Sequence, residues 1–367
     1  MKRERLNKVI GFLAIGLIFG FLMLISWLFN KTDQTIEGPY IFYYGDTIKS
    51  LTINITGNKL EETYKALNPI SEEAVIVKMQ LPEGQYVSFN KQEKIEIPKD
   101  QYPAKQKILA ISDVEGDFSF LEENLKTNGV IDDQYNWTFG KGSLVVVGDI
   151  FDRGKYVTEC LWLLYKLENE AKKKGGQVHI ILGNHEIMAL QGDHRYVNRK
   201  YKKITRQLET DYKDLYGANT EIGRWLRSKN AMEIIGRILF VHGGVSPELI
   251  NKKQTVSQIN NVVRKNIDDN KSLKDSIDNF VMGSKGPLWY RGYIEDPING
   301  EAMKKVLNQL DIDKVVIGHT IVKEITALYD HKVYAIDAER TNKICKALLI
   351  EGDSYYTTTS HGNKIKL

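Results

Sequence analysis

The sequence contains few of the features that define several protein classes. Its two cysteines, Cys160 and Cys345, lie far apart without the spacing of a metal site, so we predict core thiols, with a disulfide as the open alternative. No internal repeat and no low-complexity segment occurs, which excludes a repeat array and a disordered chain. No Lys/Arg block of the kind that binds nucleic acid is present, and the net charge of +4 is small, so no nucleic-acid partner is expected.

The remaining composition is that of an ordinary folded protein. Of the 367 residues, 42% are hydrophobic and 27% are charged, which suits one large domain with an appendage. The pattern along the chain predicts a basic segment at 1–8, a membrane anchor at 9–29, a small β-rich module at 30–104 and a main α/β domain at 105–367. No oligomeric state is predicted.

Residues 9–29 form an apolar stretch without a charged side chain. A helix of about 20 apolar residues spans a bilayer, whereas the apolar region of a cleaved signal peptide has about 7–15 residues and ends at a small-residue site. We therefore predict an uncleaved single-pass transmembrane helix. The basic residues of 1–8 favour a cytoplasmic N-terminus, which places the main domain outside the cytoplasm, or in the periplasm if the cell is bacterial.

The β-rich module is predicted from short apolar runs separated by Gly, Asn and Lys turns. It contains no histidine and no cluster of metal-ligand type. We interpret it as a spacer or packing partner of the main domain, with a docking surface as the alternative. The predicted strands are 40–44, 48–55, 74–79, 86–89 and 95–97.

The main domain alternates predicted strands with helices. A helix at 118–128 follows Asp117 as its N-cap, and another at 156–174 ends at a pair of glycines. Residues 187–232 predict a helical cap over the candidate site, and the last strands are predicted at 332–336 and 347–351.

Five motifs in this domain each follow an apolar run that predicts a buried strand. Strand ends side by side in a sheet would bring carboxylates, an amide and imidazoles together, which is the chemistry needed to hold two divalent cations and split a phosphate ester. The predicted strands are 108–111, 144–147, 178–182, 238–241 and 315–317. The motifs that follow them are Asp-Val-Glu-Gly-Asp from 113, Gly-Asp-Ile-Phe-Asp-Arg-Gly from 148, Gly-Asn-His-Glu from 183, His-Gly-Gly from 242 and Gly-His-Thr from 318.

In this order the motifs resemble those of the calcineurin-like metallophosphoesterases. Within that family the chain is most similar to the phosphoprotein phosphatase branch, near the bacterial Shewanella-like group. The resemblance extends over about residues 105–338 and leaves the β-rich module outside it. It implies a four-layer α/β/β/α sandwich with the site at the strand ends between the sheets.

The resemblance also implies a ligand set. Asp149 would bridge two divalent metals, Asp113 would bind the first, and the second would be held by Asn184, His242 and His319. Water activated by the two metals would supply the hydroxide that attacks phosphorus, because coordination lowers the pKa of water.

Four further residues receive catalytic roles from the same resemblance. His185 would protonate the leaving oxygen while Asp152 holds its ring. Arg153 would grip the phosphate with its planar guanidinium. Arg291 is similar to the second phosphate-gripping arginine of the Shewanella-like group.

Glu115 departs from the family pattern, which has Asp-x-His-Gly at this place. If Glu115 still binds the first metal, its charge makes the site less positive, and its oxygen favours harder ions. We therefore predict manganese, with iron, zinc or magnesium as alternatives. The opposite interpretation is that the first metal and fast catalysis are lost.

The sequence thus predicts a membrane-anchored metallophosphatase that hydrolyses phosphate monoesters, with a phosphoprotein or a small phosphate ester as substrate. Two alternatives stay open. One is a nucleotide or dinucleotide polyphosphate hydrolase, and the other is a non-catalytic scaffold that binds phosphate.

Overall fold

The computed structural model describes residues 34–67, 75–268, 277–340 and 344–367. Within these ranges no helix is both long and apolar enough to span a membrane. The stretch at 9–29, where the anchor is predicted, lies outside the described residues.

The N-terminal module is built from strands, as predicted. Strands β1 (Gln34–Tyr44), β2 (Thr47–Thr56) and β3 (Lys59–Leu67) form an antiparallel sheet. Strands β4 (Ile76–Gln80) and β5 (Tyr86–Asn90) form an antiparallel pair. The β-rich character of this part of the chain is confirmed.

Two details of the module differ from the prediction. Strand β3 is missed because most of its side chains are polar and exposed, so no apolar alternation marks it. Residues 95–97 form no strand. They precede Pro98, which has no N–H for a strand ladder, and Ile97 is 64% exposed.

The first large sheet has six strands in the order β17-β16-β15-β7-β8-β9. The last three strands of this order are parallel neighbours and are buried along nearly their whole length, which explains their continuous apolar runs. The strands are β7 (Lys107–Ile111), β8 (Ser143–Val147), β9 (Gln177–Ile181), β15 (Lys346–Glu351), β16 (Ser354–Thr359) and β17 (Lys364–Lys366).

The second large sheet also has six strands, in the order β13-β14-β12-β11-β10-β6. Its strand β6 precedes residue 105, so this sheet includes residues that come before the predicted start of the main domain. The strands are β6 (Gln101–Tyr102), β10 (Met232–Ile235), β11 (Ile238–Val241), β12 (Lys314–Ile317), β13 (Thr326–Leu328) and β14 (Val333–Ala335).

The two large sheets pack against each other through apolar side chains. Val145 and Val147 of the first sheet share a buried cluster with Phe240 of the second. Tyr334 stacks on Tyr355 across this interface with ring centroids 4.5 Å apart. The predicted α/β class is therefore confirmed.

Nine α-helices are present in the described ranges. Asp117 accepts a hydrogen bond from the Phe120 amide at 3.1 Å, so the predicted N-cap of α1 is confirmed. The helices are α1 (Phe118–Thr127), α2 (Val157–Lys173), α3 (Asn184–Gln191), α4 (Arg199–Gln207), α5 (Glu221–Ser228), α6 (Pro247–Asn251), α7 (Val256–Lys265), α8 (Ile277–Met282) and α9 (Gly300–Leu310).

The region at 187–232 consists of short helices joined by turns and irregular segments, and its last residue belongs to a strand. It contains most of α3, all of α4 and α5, and a 3₁₀ turn at Tyr212–Tyr216, and β10 begins at Met232. Both cysteines are buried, as the sequence predicts.

Candidate metal-dependent active site

The five motif strands are all present, but they do not lie in one sheet. Strands β7, β8 and β9 belong to the first sheet, whereas β11 and β12 belong to the second. The expectation from the strand pattern that all five ends lie side by side in one sheet is therefore wrong, whereas the family resemblance had placed the site between two sheets. The polar residues nevertheless meet, because the two packed sheets bring their strand ends to the same edge.

Asp149 lies at the centre of the polar cluster. Its Oδ2 is 3.1 Å from Nε2 of His242, which is itself 3.0 Å from Oδ1 of Asn184. The other ring nitrogen of His242 lies 2.8 Å from the carbonyl oxygen of Val147. That carbonyl can only accept a hydrogen bond, so it keeps the proton on Nδ1 and leaves Nε2 facing the cluster.

His319 and Asp113 complete the cluster. The imidazole rings of His319 and His242 are 4.8 Å apart, and the His319 amide donates to Oδ2 of Asp113 at 3.1 Å. Among the described residues, Nε2 of His319 has no hydrogen-bond partner although it is buried. A buried, unpaired imidazole nitrogen at such a position suits a metal ligand.

The charges of the cluster shift its pKa values strongly. Burial favours the neutral form of His242, but the adjacent Asp149 carboxylate outweighs it and raises the pKa to about 10. Burial lowers the pKa of His319 to about 3, with the charge of His242 acting in the same direction. The pKa of Asp113 is raised well above its usual value by burial and then by the carboxylate of Asp337.

Asp337 is a member of the cluster that sequence reasoning missed. It follows strand β14, and burial raises its pKa while its charge interacts with that of Asp149. The Ile-Asp pair after a short apolar run was the available indication, but it matches no motif that we used. Asp113, Asp149 and Asp337 therefore form a group of mutually repelling carboxylates.

This arrangement fits divalent cations. Ligand atoms of Asp149, His242 and His319 all lie within 4.8 Å of one another. The Asn184 oxygen lies next to His242, and the Asp113 carboxylate lies next to His319. Carboxylate, amide and imidazole are the donors that first-row divalent metals accept. Cations would also relieve the repulsion between the carboxylates.

His185 and Asp152 form a separate pair beside the cluster. Nδ1 of His185 is 2.6 Å from Oδ2 of Asp152, and its Nε2 is 3.8 Å from Oδ2 of Asp149. Burial alone would lower the pKa of His185, but the hydrogen bond to Asp152 and the charge of Asp149 raise it above the usual value. These interactions favour the protonated form of His185, with Nε2 directed toward the cluster.

Glu186 holds the backbone of two motifs in register. Its carboxylate accepts hydrogen bonds from the amides of Gly183 at 2.7 Å, Asp149 at 2.9 Å and Ile150 at 2.7 Å. We assigned this glutamate no role from the sequence, since its partners are 36 or more residues away for two of the three bonds. It fixes Asp149 against the first turn of α3, which contains Asn184 and His185.

Two glycines allow the close approach of these loops. A Cβ atom on Gly148 would lie 2.4 Å from Nδ1 of His242, and one on Gly183 would lie 2.2 Å from Oδ1 of Asp149. No side chain can be accommodated at such distances, so the motifs require glycine at both positions.

Arg153 lies at the entrance, with a half-exposed side chain that forms an ion pair with Glu115. Arg291 donates to the backbone oxygen of His319 at 2.9 Å, and its guanidinium is 3.7 Å from Glu295. Both arginines therefore lie next to residues of the cluster. Glu115 is brought to the cluster but is engaged by Arg153, and burial raises its pKa.

Comparison with known proteins is decisive for the family. The sequence profile described as calcineurin-like phosphoesterase matches residues 106–323. The chain belongs to the calcineurin-like phosphoesterase family. It is accordingly a metallophosphoesterase, and the family implies that divalent metals occupy the cluster.

This phosphoesterase is similar to eukaryotic Shewanella-like protein phosphatases. It is 33% identical to Shewanella-like protein phosphatase 1 of Plasmodium berghei, over 58% of this chain and 61% of that protein. It is 27% identical to Shewanella-like protein phosphatase 2 of Arabidopsis thaliana, over 62% of this chain and 69% of that protein. The chain thus spans about two thirds of the length of these relatives.

A solved structure matches more of the phosphoesterase. The crystal structure of a cold-active protein-tyrosine phosphatase from a psychrophilic Shewanella species has a TM-score of 0.81 and 34% sequence identity. The match covers 90% of this chain and 99% of that one, so it includes the N-terminal β-rich module.

The ion pair of Arg153 with Glu115 leads to a prediction for this phosphoesterase. Glu115→His would remove the carboxylate that competes with phosphate for Arg153. A half-exposed ion pair is worth up to about 1 kcal/mol, so we expect the KM for a phosphate monoester to fall by up to about 5-fold. Steady-state kinetics measures this.

A matched substitution separates the loss of charge from the gain of an imidazole. Glu115→Gln also frees Arg153 but supplies no ring nitrogen, so it should lower KM as much as Glu115→His does if the carboxylate alone is responsible. If KM rises in both variants, Glu115 helps Arg153 to bind phosphate instead of competing with it.

Proposed function

We propose that this phosphoesterase is a metal-dependent phosphatase that hydrolyses phosphate monoesters on proteins, with phosphotyrosine among its substrates. The observation on which the proposal depends is the His185–Asp152 pair beside the Asp149 cluster. A monoester has a single leaving oxygen, and a protonated imidazole on one side of a metal site is suited to protonate it. The likeness to a chain named as a protein-tyrosine phosphatase supports the substrate class.

The residues divide the reaction between them. When bound, two divalent cations neutralise phosphate charge and lower the pKa of coordinated water. Asp113, Asp149, Asn184, His242 and His319 would hold them, with manganese favoured by the oxygen-rich set.

The remaining side chains act on the substrate. Arg153 binds the equatorial phosphate oxygens, because its guanidinium is half exposed at the entrance. Nε2 of His185 donates its proton to the leaving oxygen, because Nδ1 is held by Asp152. The Asp152 carboxylate keeps the ring oriented throughout.

A substrate comparison tests the proposal. With manganese present, we expect turnover of a phosphotyrosine peptide, a phosphoserine peptide and an aryl phosphate, and little turnover of diadenosine tetraphosphate. Preferred hydrolysis of the dinucleotide would favour the polyphosphate hydrolase. Phosphate binding without any turnover would favour the non-catalytic scaffold.

Tyr196 is placed to favour aromatic leaving groups. Its side chain is 46% exposed, and its ring centroid is 5.2 Å from that of His185. The guanidinium of Arg153 lies 5.9 Å from the same ring. A leaving group that receives a proton from His185 would therefore contact Tyr196.

Removing this ring should alter selectivity. Contacts between aromatic rings contribute about 0.5–1.5 kcal/mol, so Tyr196→Ala should lower kcat/KM for a phosphotyrosine peptide by about 2–10-fold. The value for a phosphoserine peptide should stay nearly constant, and Tyr196→Phe should resemble the wild type. Equal losses on both peptides would show that Tyr196 has no part in selectivity.

We propose in addition that residues 9–29 anchor the enzyme in a membrane with the catalytic domain outside the cytoplasm. The charge-free stretch and the basic residues before it support this topology. The full chain should then sediment with membranes and require detergent for release, and external protease should digest its catalytic domain. Release by an alkaline wash would contradict the anchor.

A further inference from the structure

Helix α4 lies between the N-terminal β-rich module and the loop that contains Arg153. Three of its residues, spaced three and four apart on one face, contact the module. Lys200 forms an ion pair with Glu37 of β1. Lys203 donates to the backbone oxygen of Asn58 at 2.9 Å, and Gln207 donates to that of Leu60 at 3.1 Å. The module is therefore bonded to α4 along its length.

Helix α4 and the residues just before it also hold the backbone of residues 153–155. The Arg153 backbone amide donates to the backbone carbonyl of Tyr196 at 3.0 Å. The backbone carbonyl of Arg153 accepts a hydrogen bond from the Asn198 side-chain amide at 2.8 Å. The backbone oxygen of Lys155 accepts hydrogen bonds from Lys200 and, at 3.3 Å, from the Tyr201 hydroxyl. Lys200 thus contacts both the module and the loop.

The loop depends on such contacts because its backbone is strained. Asp152 has a φ of 73° and Arg153 a φ of 52°, in the left-handed region that side chains disfavour. Residues in this region keep their conformation only when the surroundings impose it. The hydrogen bonds from α4 and the segment before it supply that constraint.

Glu37 is built into the interface as a buried charge. Its side chain is almost fully buried, and it accepts a hydrogen bond from the Tyr40 hydroxyl at 2.7 Å in addition to its contact with Lys200. The Lys200 ammonium is also 3.6 Å from Glu159 of α2. Because removing one partner of a buried ion pair leaves the other charge buried and uncompensated, Glu37 and Lys200 hold the module and α4 in a fixed relative position.

We propose that Glu37 is a positioning residue for phosphate binding, which acts through Lys200 on the loop that presents Arg153. The β-rich module is then part of the active-site architecture instead of a spacer. This inference rests on the proposed role of Arg153 in gripping phosphate. It assigns the module a function that its own composition, without any ligand-type cluster, does not suggest.

The test compares two matched substitutions on strand β1 with Glu37→Gln. Tyr40→Phe removes a hydroxyl that donates to Glu37 and lies 3.2 Å from the Thr158 hydroxyl, whereas Tyr43→Phe removes one that donates to Glu221. Glu221 is a buried glutamate on α5, and among the described residues it has no bond to the loop. Both keep the ring volume, so both are expected to fold. Three quantities are measured on the manganese-loaded full chain. They are the affinity for tungstate, a tetrahedral oxyanion that stands in for phosphate, by calorimetry; KM and kcat for an aryl phosphate; and the manganese content.

We expect the affinity for tungstate to depend on the path through Lys200. Misplacing a binding group by about 1 Å can cost up to about 100-fold, so Glu37→Gln should weaken tungstate binding and raise KM by about 10-fold. Tyr40→Phe should do so by about 2–5-fold, and Tyr43→Phe should not, while manganese content stays constant in all three. In an Arg153→Ala background, Glu37→Gln should have no further effect on tungstate affinity.

Each contrary result has a definite meaning. Unchanged tungstate affinity in Tyr40→Phe, and in Glu37→Gln if it folds, would overturn the inference while an active wild type leaves the proposed function in place. Equal losses in Tyr40→Phe and Tyr43→Phe would overturn it too, because general loosening of the module would explain them. A wild type that neither binds tungstate nor hydrolyses the ester would overturn the proposed function and this inference with it.

Discussion

Asp149→Asn is expected to abolish metal retention and turnover together. The carboxylate lies between the two halves of the site, with Oδ2 3.1 Å from Nε2 of His242 and Oδ1 bonded to the His185 amide at 2.9 Å. Asparagine keeps the shape but removes the negative charge that a bridging ligand supplies. Loss of an outer partner alone costs about 10–100-fold in metal affinity, so we expect more than about 100-fold here.

Elemental analysis of the purified chain and steady-state kinetics measure both effects. Asp133→Asn is the matched control, because Asp133 is an aspartate whose side chain is 88% exposed. That variant should retain wild-type metal content and activity. An Asp149→Asn protein that keeps its metal, or that loses metal while turning over normally, would contradict the central role of this residue.

His185→Asn is expected to slow the reaction, and the loss should grow as the pKa of the leaving alcohol or phenol rises. General acid catalysis contributes about 10²–10⁴-fold, so we expect a loss in this range for an alkyl phosphate. An activated aryl phosphate leaves without protonation and should lose much less. Metal content should stay near the wild-type value, because Nδ1 of His185 is bonded to Asp152 and the ring is not part of the ligand cluster.

The measurement is the dependence of kcat/KM on the pKa of the leaving alcohol or phenol. Asp152→Asn is the companion variant, since it keeps the imidazole but weakens the hydrogen bond that holds it. Its loss should show the same trend with a smaller slope. Uniform slowing across all leaving groups in His185→Asn would exclude the acid role.

The sequence predicted the parts of the site that follow from local pattern. Continuous apolar runs ending in polar motifs located five strands of the two large sheets, namely β7, β8, β9, β11 and β12, because a strand that is buried on both faces is apolar throughout. The side chains of Asp149, Asn184, His242 and His319 come together as expected. Their division between two sheets was expected only from the family resemblance, since a single strand pattern does not reveal its neighbours.

What the sequence did not reveal depends on contacts between distant residues. Glu186 is important for the backbone amides that it binds, and Asp337 for the carboxylates near it. Neither kind of contact produces a periodic pattern of apolar and polar residues in the sequence. The same holds for Glu37, which lies in a module that we interpreted as a spacer and pairs with Lys200 far along the chain.

Anomalous diffraction from manganese-soaked crystals tests the central claim most directly. The account predicts two manganese peaks in the cleft where the two large sheets end, both within coordinating distance of Asp149. One peak should also contact Asp113, and the other should contact His242 and His319. Fully occupied manganese at another place, in a protein that still hydrolyses phosphate esters, would contradict the account.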